Sequence, residues 1–166
     1  MVRFMTCLIL AAPLAAWAAD SPDQDFFKQA TQGGLAEIDT GTLAQSKATN
    51  QALQDFGAMM VKDHTAANGK LKTIADAEGV DLPSKPSVTH LASKAKLDVL
   101  SGDSFDKAYI KDQVRAHVRT IALFRKEIAS GSDPKAQAFA KATLPTLESH
   151  LKKIRKVAAD QGVATS

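Results

Sequence analysis

The sequence predicts an all-α fold, a four-helix bundle, from three observations. Aromatic residues are only 5% of the 166, and β-branched runs are few. Apolar residues return every three or four positions, the spacing of one helix face. Four long segments share that spacing, with short breaks after the first and third and a long break in the middle, which is the layout of a bundle.

The chain begins MVRFMTCLILAAPLAAWAAD. A basic Arg3, an apolar run from Phe4 to Ala16 and Ala16-Trp17-Ala18 before Ala19 make the pattern of a bacterial secretory signal peptide. The run is too short for a membrane span, so residues 1–18 are expected to be cleaved, with no stable membrane insertion afterwards. Residues 19–166 then form one domain, with its core at about 23–160, in the periplasm or outside the cell. Cys7, the single cysteine, leaves with the leader. The mature chain has no thiol chemistry and no disulfide.

The first long helix is predicted from about Asp23 to Ala48 and the second from about Gln51 to Glu78, with Gly79 as its stop. The proline-bearing VDLPSKPSVTH follows, then a short helix from about Val88 to Leu100 that Ser87 or Thr89 can cap. The third long helix runs from about Ser104 to Ser130. Asp133-Pro134 supplies cap and first turn for the fourth, which extends to about Asp160. The long middle connection can cross the bundle lengthwise, giving a ferritin-like four-helix bundle with an extra short helix between helices two and three. An up-down-up-down order is the alternative.

Core-facing positions of bundle helices advance by alternating threes and fours. The first helix fits Phe27, Ala30, Gly34, Glu37, Gly41, Ala44 and Ala48. The second fits Leu53, Gly57, Met60, His64, Ala67, Leu71 and Ile74; the third Ile110, Val114, His117, Ile121, Phe124 and Ile128; the fourth Ala136, Ala140, Thr143, Leu147, His150, Ile154 and Val157. Each seam carries one strongly polar residue: Glu37, His64, His117 or His150. Each lies about 13–16 residues from its helix start, so at about 1.5 Å per residue the four share one layer of the core. Three imidazoles and a carboxylate are the donor types of a transition-metal site, suited to one zinc, copper or iron ion. A metal-free hydrogen-bonded layer is the competing arrangement.

Gly34 and Gly41 flank Glu37 by one turn each. They are expected to make room for the rings and an ion, and the partners to stabilise the buried charge. Asp63, Tyr109, Asp112 and Glu148 are candidates to orient the imidazoles through their second nitrogen. Met60 lies one turn from His64, and Pro145 should kink the fourth helix. His90, in the connection, has no assigned role.

The formal net charge is +3, or +2 without Arg3, and basic and acidic residues are interspersed. KKIRK at 152–156 is a solvated helix face, so nucleic acid is not an expected partner. No serine or cysteine sits with a histidine and an orienting acid, and no phosphate-cradling loop follows a strand, which excludes the common hydrolase and nucleotide-binding patterns.

GGLAEIDTGTLA, MMVKDHT, FDKAYIKDQVRAH and LPTLESHL, in that order, resemble the bacterial family called domain of unknown function 4142. The resemblance covers nearly all of the mature chain. It implies export and a ferritin-like bundle and supplies no activity. The di-iron pattern is missing. Such bundles carry Glu-x-x-His on two helices, whereas Glu37, Glu78, Glu127 and Glu148 are followed three residues later by Thr40, Asp81, Ser130 and Leu151. The expected function is therefore an exported bundle that binds one metal ion in a handling or structural role rather than as an enzyme. The alternatives are a metal-free stress or envelope interaction protein, its protein partner unknown, and a metal-dependent oxidoreductase.

Overall fold

Helix boundaries follow the chemistry of their ends. In the computed structural model, which describes residues 22–165, α1 spans Pro22–Lys47, α2 Gln51–Glu78, α3 Val88–Asp98, α4 Gly102–Ser130 and α5 Pro134–Asp160. The signal-peptide reading of residues 1–18, including Cys7, lies outside the described residues. Asn50 caps α2 by accepting from the Ala52 amide at 2.8 Å, and Asp133 caps α5 by accepting from Lys135 at 2.8 Å. Ser87, not Thr89, caps α3. Gly79 ends α2 with φ of 67°, a left-handed turn that glycine adopts without strain.

Polar ties at the two ends of the bundle establish its topology. The Thr49 amide and hydroxyl donate to Asp106 at 3.1 and 2.6 Å, and Lys47 donates to the carbonyl of Leu100. The end of α1 thus meets the start of α4. At the opposite end Asp23 accepts from the Ser132 amide at 2.8 Å, and Lys135 pairs with Glu78. So α2 ends beside the start of α5, and the segment 79–101 travels the full length of the bundle before α4 begins. This is the ferritin-like crossover. α1 contacts α2 and α4, α5 contacts α4 and α2, and α3 lies against α1 and α4. Among the described residues, no helix is long and apolar enough to cross a membrane.

All seven predicted seam positions of α1 are buried. The apolar core divides in two. One cluster includes Phe56, Met60, Phe105, Tyr109 and Ile154, and the other includes Phe26, Phe124, Phe139 and Leu147. The histidine layer lies between them. Phe26, Phe56, Phe105, Tyr109 and Phe139 are buried although the narrow seam omits them; a bundle helix buries a wider stripe than a coiled-coil seam.

The glycines serve a different purpose from the one the spacing suggested. A Cβ on Gly41 would stand 2.7 Å from the carbonyl oxygen of Gly57, and one on Gly57 would stand 2.6 Å from that of Gly41. The pair lets α1 and α2 approach backbone to backbone. Gly34 faces the Asn68 side chain, where a Cβ would come within 2.2 Å. Gly41 is therefore not a spacer for the imidazoles, whereas Gly34 also borders the small cavity beside His64 and His150. α5 runs on as helix through the exposed Pro145.

Candidate metal centre

His64 on α2, His117 on α4 and His150 on α5 reach the same interior point, with 7%, 1% and 2% of their surfaces exposed. Their ring centroids are 6.0 Å (His64 to His117), 5.6 Å (His64 to His150) and 5.5 Å (His117 to His150) apart. One nitrogen from each ring lies within 4.8 Å of one from each of the others. Phe56 closes the layer on one side, 6.3 Å from His117 and 6.4 Å from His150.

Hydrogen bonds fix two of the tautomers. His117 Nδ1 is 2.9 Å from the Gln113 carbonyl oxygen. A carbonyl only accepts, so Nδ1 carries the proton and Nε2 keeps its lone pair. His150 Nε2 is 3.0 Å from an Asp63 carboxylate oxygen, which leaves the lone pair on Nδ1. His117 Nε2, His150 Nδ1 and His64 Nε2 are all buried without a partner. Burial, reinforced by the other two rings, pushes the His64 pKa down to about 3, and burial also lowers that of His150 against the pull of Asp63. At neutral pH the His64 and His150 rings are neutral donors.

Glu37 is buried but stands outside the group of three. Its Oε2 accepts from Gln113 Nε2 at 2.7 Å, and its Oε1 is 4.0 Å from His117 Nδ1, the protonated side of that ring. Burial raises its pKa, opposed by His117 and Gln113. Of the four predicted ligands, the fold gathers the three histidines and sets the carboxylate behind one of them.

The predicted orienting residues separate in the same way. Asp63 performs that role for His150 on α5, not for its neighbour His64. Glu148 pairs with Arg125 at 2.7 Å on the surface, and Asp112 with Arg115. Tyr109 is buried against Phe56 and Phe105, and Met60 belongs to the apolar cluster at that end. Gln113, absent from the sequence-based selection, joins Glu37, Thr40 and His117. It lies one turn before His117, and that spacing was the available signal.

Residues 10–157 match the domain of unknown function DUF4142. The chain belongs to the DUF4142 family. None of the curated proteins matches it. Among solved structures, this DUF4142 chain is similar to a DUF305 protein from Streptomyces coelicolor at 14% identity, covering 90% of this chain and 99% of that one with a TM-score of 0.75. It is also similar to CopM in a Cu(II)-bound form, at 15% identity over 84% of this chain and 97% of that one with a TM-score of 0.71. The Ag-bound form of CopM gives 15% identity, 83% and 96% coverage and a TM-score of 0.68. At these identities the likeness concerns the fold.

Proposed function

We propose that this DUF4142 protein is exported and holds one transition-metal ion through His64, His117 and His150. The observation that carries the reading is the set of three partnerless buried nitrogens. Each costs the fold about 1–3 kcal/mol if nothing bonds to it. A bundle with no use for these groups would be more stable with apolar side chains in their place. An ion offsets all three at once.

Charge balance supports the same reading. A divalent ion on three neutral rings leaves two positive charges in the core. Glu37 behind His117 and Asp63 behind His150 supply two carboxylates, both on the protonated side of the ring they face. That is the usual outer support of a metal-bound imidazole. An all-imidazole set favours Cu(II) over zinc and the earlier divalent metals. CopM, which shares the fold, occurs in Cu(II)-bound and Ag-bound forms, and this agrees with a copper-group ion here.

Titration of chelator-treated protein with Co(II) and Cu(II) tests the reading. It predicts saturation at one equivalent with a ligand-field spectrum, and loss of that spectrum in His117→Ala. Binding that never saturates, or that His117→Ala leaves intact, would refute it. A second reading has one observation in its favour. Three protein ligands leave a coordination position open, as catalytic centres do, and His64 and His150 border a cavity of about 30 Å³, enough for a water-sized molecule. Turnover of peroxide by the copper-loaded protein, absent from His117→Ala, would favour this oxidoreductase reading over metal handling.

A further inference from the structure

Two cavities meet at the contact between α1 and α4. The inner one, about 30 Å³, is bordered by His64, His150 and Asp63. The outer one, about 310 Å³, lies where α3 packs over α1 and α4, and Glu37, His90, Asp112 and Arg119 border it. Gly33 on α1 and Thr120 on α4 border both.

Gly33 has no packing reason to be glycine. A Cβ there would meet nothing within 4 Å, unlike one on Gly34, Gly41 or Gly57. In mid-helix glycine costs about 0.5–1 kcal/mol against alanine, and here no neighbour requires it. What Gly33 preserves is open space between the two cavities.

We propose that the outer cavity is the vestibule through which a divalent cation reaches the three histidines, with Gly33 and Thr120 as its neck and Glu37 as a transient oxygen ligand. The proposal rests on the metal-binding reading above. Glu37 lines the outer cavity, so a buried carboxylate faces a cation before it reaches the neck. Asp112 adds a second carboxylate, which Arg115 pairs with. Arg119 is exposed to solvent, and His90, whose pKa burial lowers, is neutral. Asp112, held by Arg115, and the exposed Arg119 offset each other, so Glu37 is the buried carboxylate donor that a cation meets in this lining. Serine and threonine at the walls (Ser87, Ser93, Thr40) can replace water lost from the ion's hydration shell.

Stopped-flow uptake of Co(II) by the chelator-treated full chain tests this, with the equilibrium affinity measured on the same samples. Gly33→Leu, which fills the neck, should slow uptake at least tenfold and change the affinity less than threefold. Should Gly33→Leu fail to fold by circular dichroism, Thr120→Leu narrows the neck from α4 and carries the same expectation. The inner cavity also touches the α2–α5 side, at Asp63, Thr143 and Thr146. Thr146→Leu should therefore slow uptake less than threefold. Unchanged uptake in the folded neck variant, or an equal slowing by Thr146→Leu, overturns the vestibule while leaving the histidine site standing. An unaltered protein that takes up no Co(II) overturns both.

Discussion

Leucine in place of His64 is expected to stabilise the metal-free protein and to abolish its response to metal. His64 is 7% exposed, its Nε2 has no partner, and its ring is neutral at pH 7 with a pKa of about 3. Removing a buried group that lacks a partner recovers about 1–3 kcal/mol. A water in the cavity beside the ring would place the gain at the lower end of that range. Leucine has a volume close to that of histidine, so no large void opens. In a domain of this size each kcal/mol moves Tm by about 2–4 °C, so Tm should rise by about 2–12 °C. The assay is thermal unfolding in chelator, repeated with Cu(II) or zinc. The unaltered protein should gain stability with metal, and His64→Leu should show none of that gain. A lower Tm for His64→Leu in chelator would refute the reasoning, because it would make the imidazoles a structural hydrogen-bonded layer.

Other consequences are as direct. Gly41→Ala drives a methyl group to 2.7 Å from the Gly57 carbonyl; overpacking of about 1–3 kcal/mol should exceed the gain of about 0.5–1 kcal/mol in helix propensity. Gly69→Ala, where a Cβ meets nothing within 4 Å, should stabilise by that gain, and the urea midpoints of the two variants should move in opposite directions. Asp63→Ala removes the acceptor that holds His150, with the carboxylate 31% exposed; metal affinity should fall by about 10–100-fold with the fold intact, as read by competition with a chromophoric chelator. The His64 pKa is lowered from 6.5 to about 3, so its contribution to metal-free stability is present above pH 6.5 and is lost as pH falls towards 3, by up to about 1.4 kcal/mol per pH unit. Glu127 runs the other way. Burial, with Asp23 and Asp133 nearby and Lys126 opposing, raises its pKa from 4.5 to about 7, so its contribution is present below pH 4.5 and is lost as pH rises through 7. Glu127→Gln should therefore raise stability at pH 8 relative to pH 5 in chemical unfolding, whereas a uniform change would contradict this.

The bundle was legible because helical periodicity, caps and turn residues all agreed. Asn50, Gly79, Ser87 and Asp133-Pro134 mark ends that fall where the sequence suggested. The histidine layer was legible because three seams gave the same height and burial forgives no phase error. Glu37 was harder to place. Seam phase puts a side chain inside, but a long carboxylate chooses its direction by its partners. Gln113, on the face between seam and surface, draws it to the far side of His117. The glycines were read through their neighbour in sequence, whereas the Gly41–Gly57 approach is a contact between two helices that no single segment reveals. Asp63 acts across to α5 for the same reason.

The measurement closest to the central claim is X-ray absorption at the metal edge of protein loaded with one equivalent of zinc or Cu(II). Three imidazoles at about 2.0–2.1 Å, with a light oxygen donor in the open position, are predicted for zinc. A shell dominated by oxygen donors, or one that His117→Ala leaves unchanged, would contradict a centre built from His64, His117 and His150.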